Sequence, residues 1–120
     1  MIDYEFFTKE ELACRCGECD GGAMNPFFMK RLIDMRRSLG FPFHVSSGFR
    51  CKIHNENVGG TDGSLHVVGN AVDLLVRDER ALSIISKARQ FGFNGIGIKQ
   101  SGKDRFVHID DRLIFAMWTY

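Results

Sequence analysis

Ser64-Leu-His-Val-Val-Gly-Asn-Ala-Val-Asp73 places a histidine and a carboxylate seven residues apart, with Gly69 between them. That separation is too long for one helical turn, and along one straight strand it would set the two side chains on opposite faces. The stretch therefore reads as a loop carrying His66, a turn at Gly69, and a strand over residues 71–76 that carries Asp73. The strand, Ala-Val-Asp-Leu-Leu-Val, is apolar on both sides of its carboxylate, as a buried strand would be. A buried charge is unfavourable without a partner, and this strand supplies no Arg or Lys. Zinc accepts such a mixed nitrogen and oxygen pair, and catalytic zinc sites add a third protein ligand and a water. The third ligand is expected at His108, a polar residue in the apolar stretch Phe106-Val-His-Ile-Asp110. A lone loop histidine is more often bonded to backbone, so the case rests on the three positions together.

Working outward, Ser47-Gly-Phe-Arg50 comes first, then Asn55 with Gly59-Gly60. Ser64-x-His66-x-x-Gly69-x-Ala71-x-Asp73 and Phe106-Val-His108-Ile-Asp110 follow in that order. Together these blocks resemble the D-alanyl-D-alanine carboxypeptidase-like zinc peptidases, a family of cell-wall peptidases related to lysostaphin and to the zinc domain of sonic hedgehog. The similarity runs from about Phe6 to Arg112. It implies one catalytic zinc held by His66, Asp73 and His108. It also implies that Arg50 faces the substrate, where a guanidinium suits a peptide carboxylate or a developing oxyanion. The plainer reading of Arg50 is a surface arginine paired with the acidic loop. Ser64 could bond the substrate or steady the His66 loop.

Hydrolysis also needs a group to take a proton from water and hand it to the leaving amine. Many relatives place a Glu or Asp three residues before the last ligand, or a second histidine two before it. Arg105 and Phe106 stand there in this chain. Asp110, two residues after His108 and so on the same strand face, is the expected base, with Asp104 as the second candidate. Asp110 could instead only orient a ligand from behind.

The resemblance implies hydrolysis of an amide bond in the peptidoglycan stem peptide. The leading expectation is an L-alanyl-D-glutamate endopeptidase of the phage-endolysin type. The alternative is a D-alanyl bond, as cut by D-alanyl-D-alanine carboxypeptidases and cross-link endopeptidases. A reading of another class is a zinc-holding binding module without turnover. The missing upstream carboxylate favours that module, whereas Arg50, Ser64 and Asp110 speak against it.

The chain has 120 residues, enough for one domain with a real core and too few for two. With 16 basic and 15 acidic side chains its net charge is +1, so no strong field drives it onto nucleic acid or an anionic membrane. No 18-residue apolar run and no signal-peptide core is found. The expectation is a monomer without a membrane span, made in the cytoplasm and reaching the wall once a holin opens the membrane. Cys14, Cys16 and Cys19 cluster in Cys-Arg-Cys-Gly-Glu-Cys, with Cys51 far away. A structural four-thiolate zinc site, disulfides in one of three pairings, and reduced thiols are all compatible with that spacing.

Thr8 followed by Glu11 predicts a capping box on a short helix over residues 6–12. Asn25-Pro26 opens a second helix ending at Leu39, with Phe28, Leu32, Met35 and Leu39 on its buried face and Gly40 as its stop. Strands are expected over 43–47, 71–76, 95–98 and 105–110, with a fifth possible over 113–118. A helix from Asp78 to Gln90 packs through Leu82, Ile85 and residues 88–89. Residues 50–65 read as a long functional loop without structure of its own. His44 reads as a packed histidine, His54 as a weak substrate contact, and Trp118 and Tyr120 as core or surface aromatics. The sum is a single α+β domain over residues 1–120 with two main helices and a mainly antiparallel sheet of about four strands.

Overall fold

A computed structural model describes residues 1–120. Helix α1 (Lys9–Leu12) is closed by the expected box: Thr8 Oγ1 accepts the Glu11 amide and Glu11 Oε1 accepts the Thr8 amide. Helix α2 (Pro26–Leu39) starts where Asn25 Oδ1 accepts the amides of Phe27 and Phe28, and ends at Gly40 in the left-handed conformation. Strand β1 (His44–Ser47) follows. Residues 50–65 are not structureless, because Cys51 caps a short helix α3 (Lys52–Asn57). A single 3₁₀ turn over Leu65–Val68 then carries His66, with Ser64 Oγ accepting the His66 amide.

Strand β2 (Ala71–Leu75) leads into α4 (Asp78–Lys87), which continues as a 3₁₀ turn over Ala88–Phe91. Ala81, Ile84 and Ala88 face the core, whereas Leu82 is 63 % exposed, so the buried face is rotated one residue from the expected one. Strands β3 (Gly95–Lys99) and β4 (Phe106–Asp110) form a hairpin, and β5 (Ala116–Thr119) ends the chain. The sheet has five strands in the order β1-β2-β4-β3-β5. All pairs are antiparallel except β3 with β5, which is parallel.

Strand alternation separates the two faces of this sheet. Val72, Leu74, Val107, Ile109 and Ile96 point to one side and are buried with Phe28, Leu32 and Met35 of α2 and Ile84 of α4. Truncating such a side chain, Leu32→Ala for instance, should cost about 2–5 kcal/mol. The opposite face carries the polar residues of the central strands. Its central row follows from the registers: Ser47 opposite Asp73, Asp73 opposite His108, His108 opposite Gly97, and Gly97 opposite Trp118. No helix is long and apolar enough to cross a membrane.

A candidate metal centre in an open cleft

Gly69 makes the site possible. It stops the 3₁₀ turn at φ 75°, and a Cβ there would lie 2.5 Å from the Ala23 carbonyl oxygen, so only glycine fits. The turn brings His66 back over β2, and three ligand atoms converge. His66 Nε2 lies 3.3 Å from Asp73 Oδ1 and 3.3 Å from His108 Nδ1, and His108 Nδ1 lies 2.9 Å from Asp73 Oδ1. A tetrahedral zinc with bonds of about 2.0–2.1 Å holds its ligand atoms about 3.3–3.4 Å apart, so the triangle fits such an ion. The two histidines are buried and Asp73 is 17 % exposed. The triangle is therefore rooted in protein and open on one side.

Each histidine is oriented from behind. His66 Nδ1 lies 2.7 Å from the Gly48 carbonyl oxygen, which can only accept, so Nδ1 bears the proton and Nε2 offers its lone pair. His108 uses the opposite tautomer: Nε2–H donates to Asp110 Oδ2 at 2.7 Å, leaving Nδ1 for the metal. Burial pushes the Asp73 carboxyl up, but the His108 and His66 imidazoles beside it outweigh this when they carry a proton and hold the group well below the usual carboxylate range. Burial likewise lowers the His108 pKa, yet bonds to Asp110 and Asp73 reverse this and raise it above its ordinary value.

The structure sets the two carboxylate candidates in different surroundings. Asp110 is fully buried, and Arg112 grips it through Nε to Oδ1 at 2.8 Å and a second guanidinium nitrogen to Oδ2 at 2.7 Å. Burial raises its pKa, while the Arg112 fork and the His108 bond more than reverse the effect and keep it ionised. It sits behind His108, away from the ligand triangle, with both oxygens engaged. That position fits orienting His108, and Asp110 also borders the cleft. Asp104 lies in the exposed turn between β3 and β4 at φ 52°, two side-chain positions up the strand direction from His108 and outside the cleft.

The cleft around the triangle has a volume of about 850 Å³. One wall is the Gly59–Leu65 loop, braced where Asn55 Nδ2 donates to the Thr61 carbonyl oxygen. Arg50 lines the cleft with its Nε buried and unpartnered, and no carboxylate pairs with it. It is not the surface ion pair of the plainer reading. Ser64 both caps the His66 turn and borders the cleft. Trp118 and Tyr120 form the other wall. Gly97 makes room for them, because a Cβ there would meet Trp118 Nε1 at 2.7 Å and the Tyr120 hydroxyl at 2.9 Å. Arg112 also stacks over the Trp118 ring at 4.6 Å. His44 is exposed and His54 lies outside the cleft lining.

Residues 5–110 match the model of the peptidase M15 family. Over 83 residues, 68 % of this chain, the sequence is 35 % identical to the zinc D-Ala-D-Ala carboxypeptidase of Streptomyces albus G. The chain spans about a third of that relative's length, 32 %. The matched region takes in Arg50, the His66 turn, Asp73 and His108, and with the whole site inside the family match, this chain belongs to the peptidase M15 family.

Proposed function

We propose that the chain is a zinc metallopeptidase that hydrolyses an amide bond in the peptidoglycan stem peptide. The observation that carries the reading is the ligand triangle of His66, Asp73 and His108, set at tetrahedral spacing in the floor of an open cleft beside an unpaired Arg50. Zinc held there would supply a Lewis acid for the scissile carbonyl and a water of lowered pKa. The protein's own groups orient the ligands and hold the substrate. Gly48 and Asp110 fix the two imidazole tautomers. Arg50 offers guanidinium donors to a peptide carboxylate or to the oxygen that gains charge. The 59–64 loop and the Trp118–Tyr120 wall hold the peptide across the floor.

The bond we favour is L-alanyl-D-glutamate. A cleft of about 850 Å³ has room for residues on both sides of an internal bond. The second reading, a D-alanyl bond, is supported by the likeness to the zinc D-Ala-D-Ala carboxypeptidase. Purified muropeptides incubated with the zinc-loaded chain, with and without a chelator, separate the readings by fragment mass. Splitting between L-alanine and D-glutamate supports the first, and loss of a terminal alanine supports the second. Absence of turnover by a fully zinc-loaded chain would leave a binding module.

A further inference from the structure

The four cysteines take no part in the cleft, yet the fold gathers them in one place. Cys14, Cys16 and Cys19 lie on the loop after α1, and Cys51 caps α3. All four sulfurs lie within 4.8 Å of one another, and none is joined in a disulfide. Cys16 and Cys51 Sγ stand 3.9 Å apart. A disulfide requires about 2.05 Å. Four thiolates around a tetrahedral zinc, each bonded at about 2.3 Å, stand about 3.8 Å apart.

Backbone amides supply a second, independent observation. The Cys51 N–H donates to Cys14 Sγ at 3.3 Å, and the Glu18 and Cys19 amides both donate to Cys16 Sγ at 3.3 Å. Gly21 N–H reaches Cys19 Sγ at 3.4 Å and His54 N–H reaches Cys51 Sγ at 3.4 Å. A neutral thiol is a weak acceptor that does not call for such dipoles. Four thiolates around one divalent ion carry a net charge of −2, which amides aimed at every sulfur would offset. Gly17, at φ 74° with open space beside it, makes the turn that aims two of these amides at Cys16.

We propose that Cys14, Cys16, Cys19 and Cys51 hold a second zinc ion in a closed structural site that clamps the loop after α1 onto the start of α3. On binding, the thiols release their protons to solvent. The clamp lies next to the segment the cleft depends on. Between Gly48, whose carbonyl orients His66, and Cys51 stand Phe49, bonded to the Leu12 carbonyl oxygen, and Arg50, bonded to that of His66. The site stands apart from the reading of the cleft, since neither ion shares a ligand with the other.

Elemental analysis of the chain purified from zinc-supplemented cells tests this directly. The parent should carry two zinc ions, and Cys14→Ser with Cys19→Ser should carry one. His66→Ala with Asp73→Ala should also carry one, which marks loss of the cleft ion alone. Titrating the parent with an organomercurial should release one zinc as the four thiols react, a measurement that needs no foldable variant. A parent with a single zinc and four freely reacting thiols overturns the proposal. So does a denatured mass showing disulfides, or iron in place of zinc.

Discussion

Asp110 and His108 are joined by a 2.7 Å hydrogen bond from Nε2–H to Oδ2, on the side of the imidazole remote from the ligand triangle. Two residues apart on one strand face, they form a carboxylate–histidine pair that leaves Nδ1 free for a metal. Asp110→Asn should therefore weaken zinc binding at the cleft about 10–100-fold, the usual effect of losing such a partner. The amide can keep an oxygen where Oδ2 accepts from His108, but it then turns an NH2 group toward the Arg112 Nε–H and backbone N–H that Oδ1 accepts. Competition with a chromophoric chelator measures the loss. Parental zinc affinity combined with a rate loss of about 10²–10⁴-fold would instead make Asp110 the proton acceptor.

The raised pKa of His108 predicts how the cleft responds to pH. A histidine whose folded pKa lies above its unfolded value adds stability fully present below the unfolded value, about 6.5, and lost as pH rises through the folded pKa. Chain stripped of the cleft ion should thus melt at lower temperature as pH rises above neutrality. The loaded chain should not follow, because zinc replaces the proton, and its zinc affinity should rise with pH over the same window. Melting curves of both forms across pH 6–9 provide the check. Parallel behaviour of the two would mean that proton and metal do not compete at His108.

The parts legible in the sequence were those where polarity broke a pattern. Asp73 and His108 stand out because each interrupts an apolar strand, and Gly69 because a seven-residue gap needs a turn. The strands and α2 were readable from period and caps. Helix α3 escaped because Lys-Ile-His-Asn-Glu-Asn has no apolar repeat and its cap is a sulfur rather than an oxygen. The Trp118–Tyr120 wall escaped because it depends on β5 pairing in parallel with β3, a long-range choice that no local pattern specifies. A signal was present in Gly95-Ile-Gly97: two glycines on one strand face leave space that neighbouring side chains fill. Asp110 was placed on the correct face, but strand spacing does not say on which side of the imidazole its carboxylate lies.

Arg50→Lys should separate charge from shape. Lysine keeps the positive charge but loses the planar fork. If Arg50 stabilises charge developing on the substrate, the rate should fall about 10²–10³-fold while zinc content and melting temperature stay at parental values. Steady-state kinetics with a synthetic stem peptide, run beside metal analysis, decides this. Parental turnover in the variant would make the guanidinium dispensable for the chemical step.

Gly97→Ala probes the aromatic wall without touching a ligand. The added methyl would sit 2.7 Å from Trp118 Nε1 and 2.9 Å from the Tyr120 hydroxyl, so the side chains rather than the backbone must give way. Trp118 packs 5.2 Å from the His108 ring and under Arg112, which limits its retreat to the cleft side. The methyl should therefore push the wall into the substrate's space. A tenfold loss of kcat/KM, about 1.4 kcal/mol, is expected mainly through KM, with zinc retained. Trp118→Ala in the same background removes the obstructing ring, so the double variant should respond less to the added methyl than the parent does. If Gly97→Ala binds and cleaves muropeptides like the parent, the Trp118–Tyr120 side of the cleft does not contact substrate.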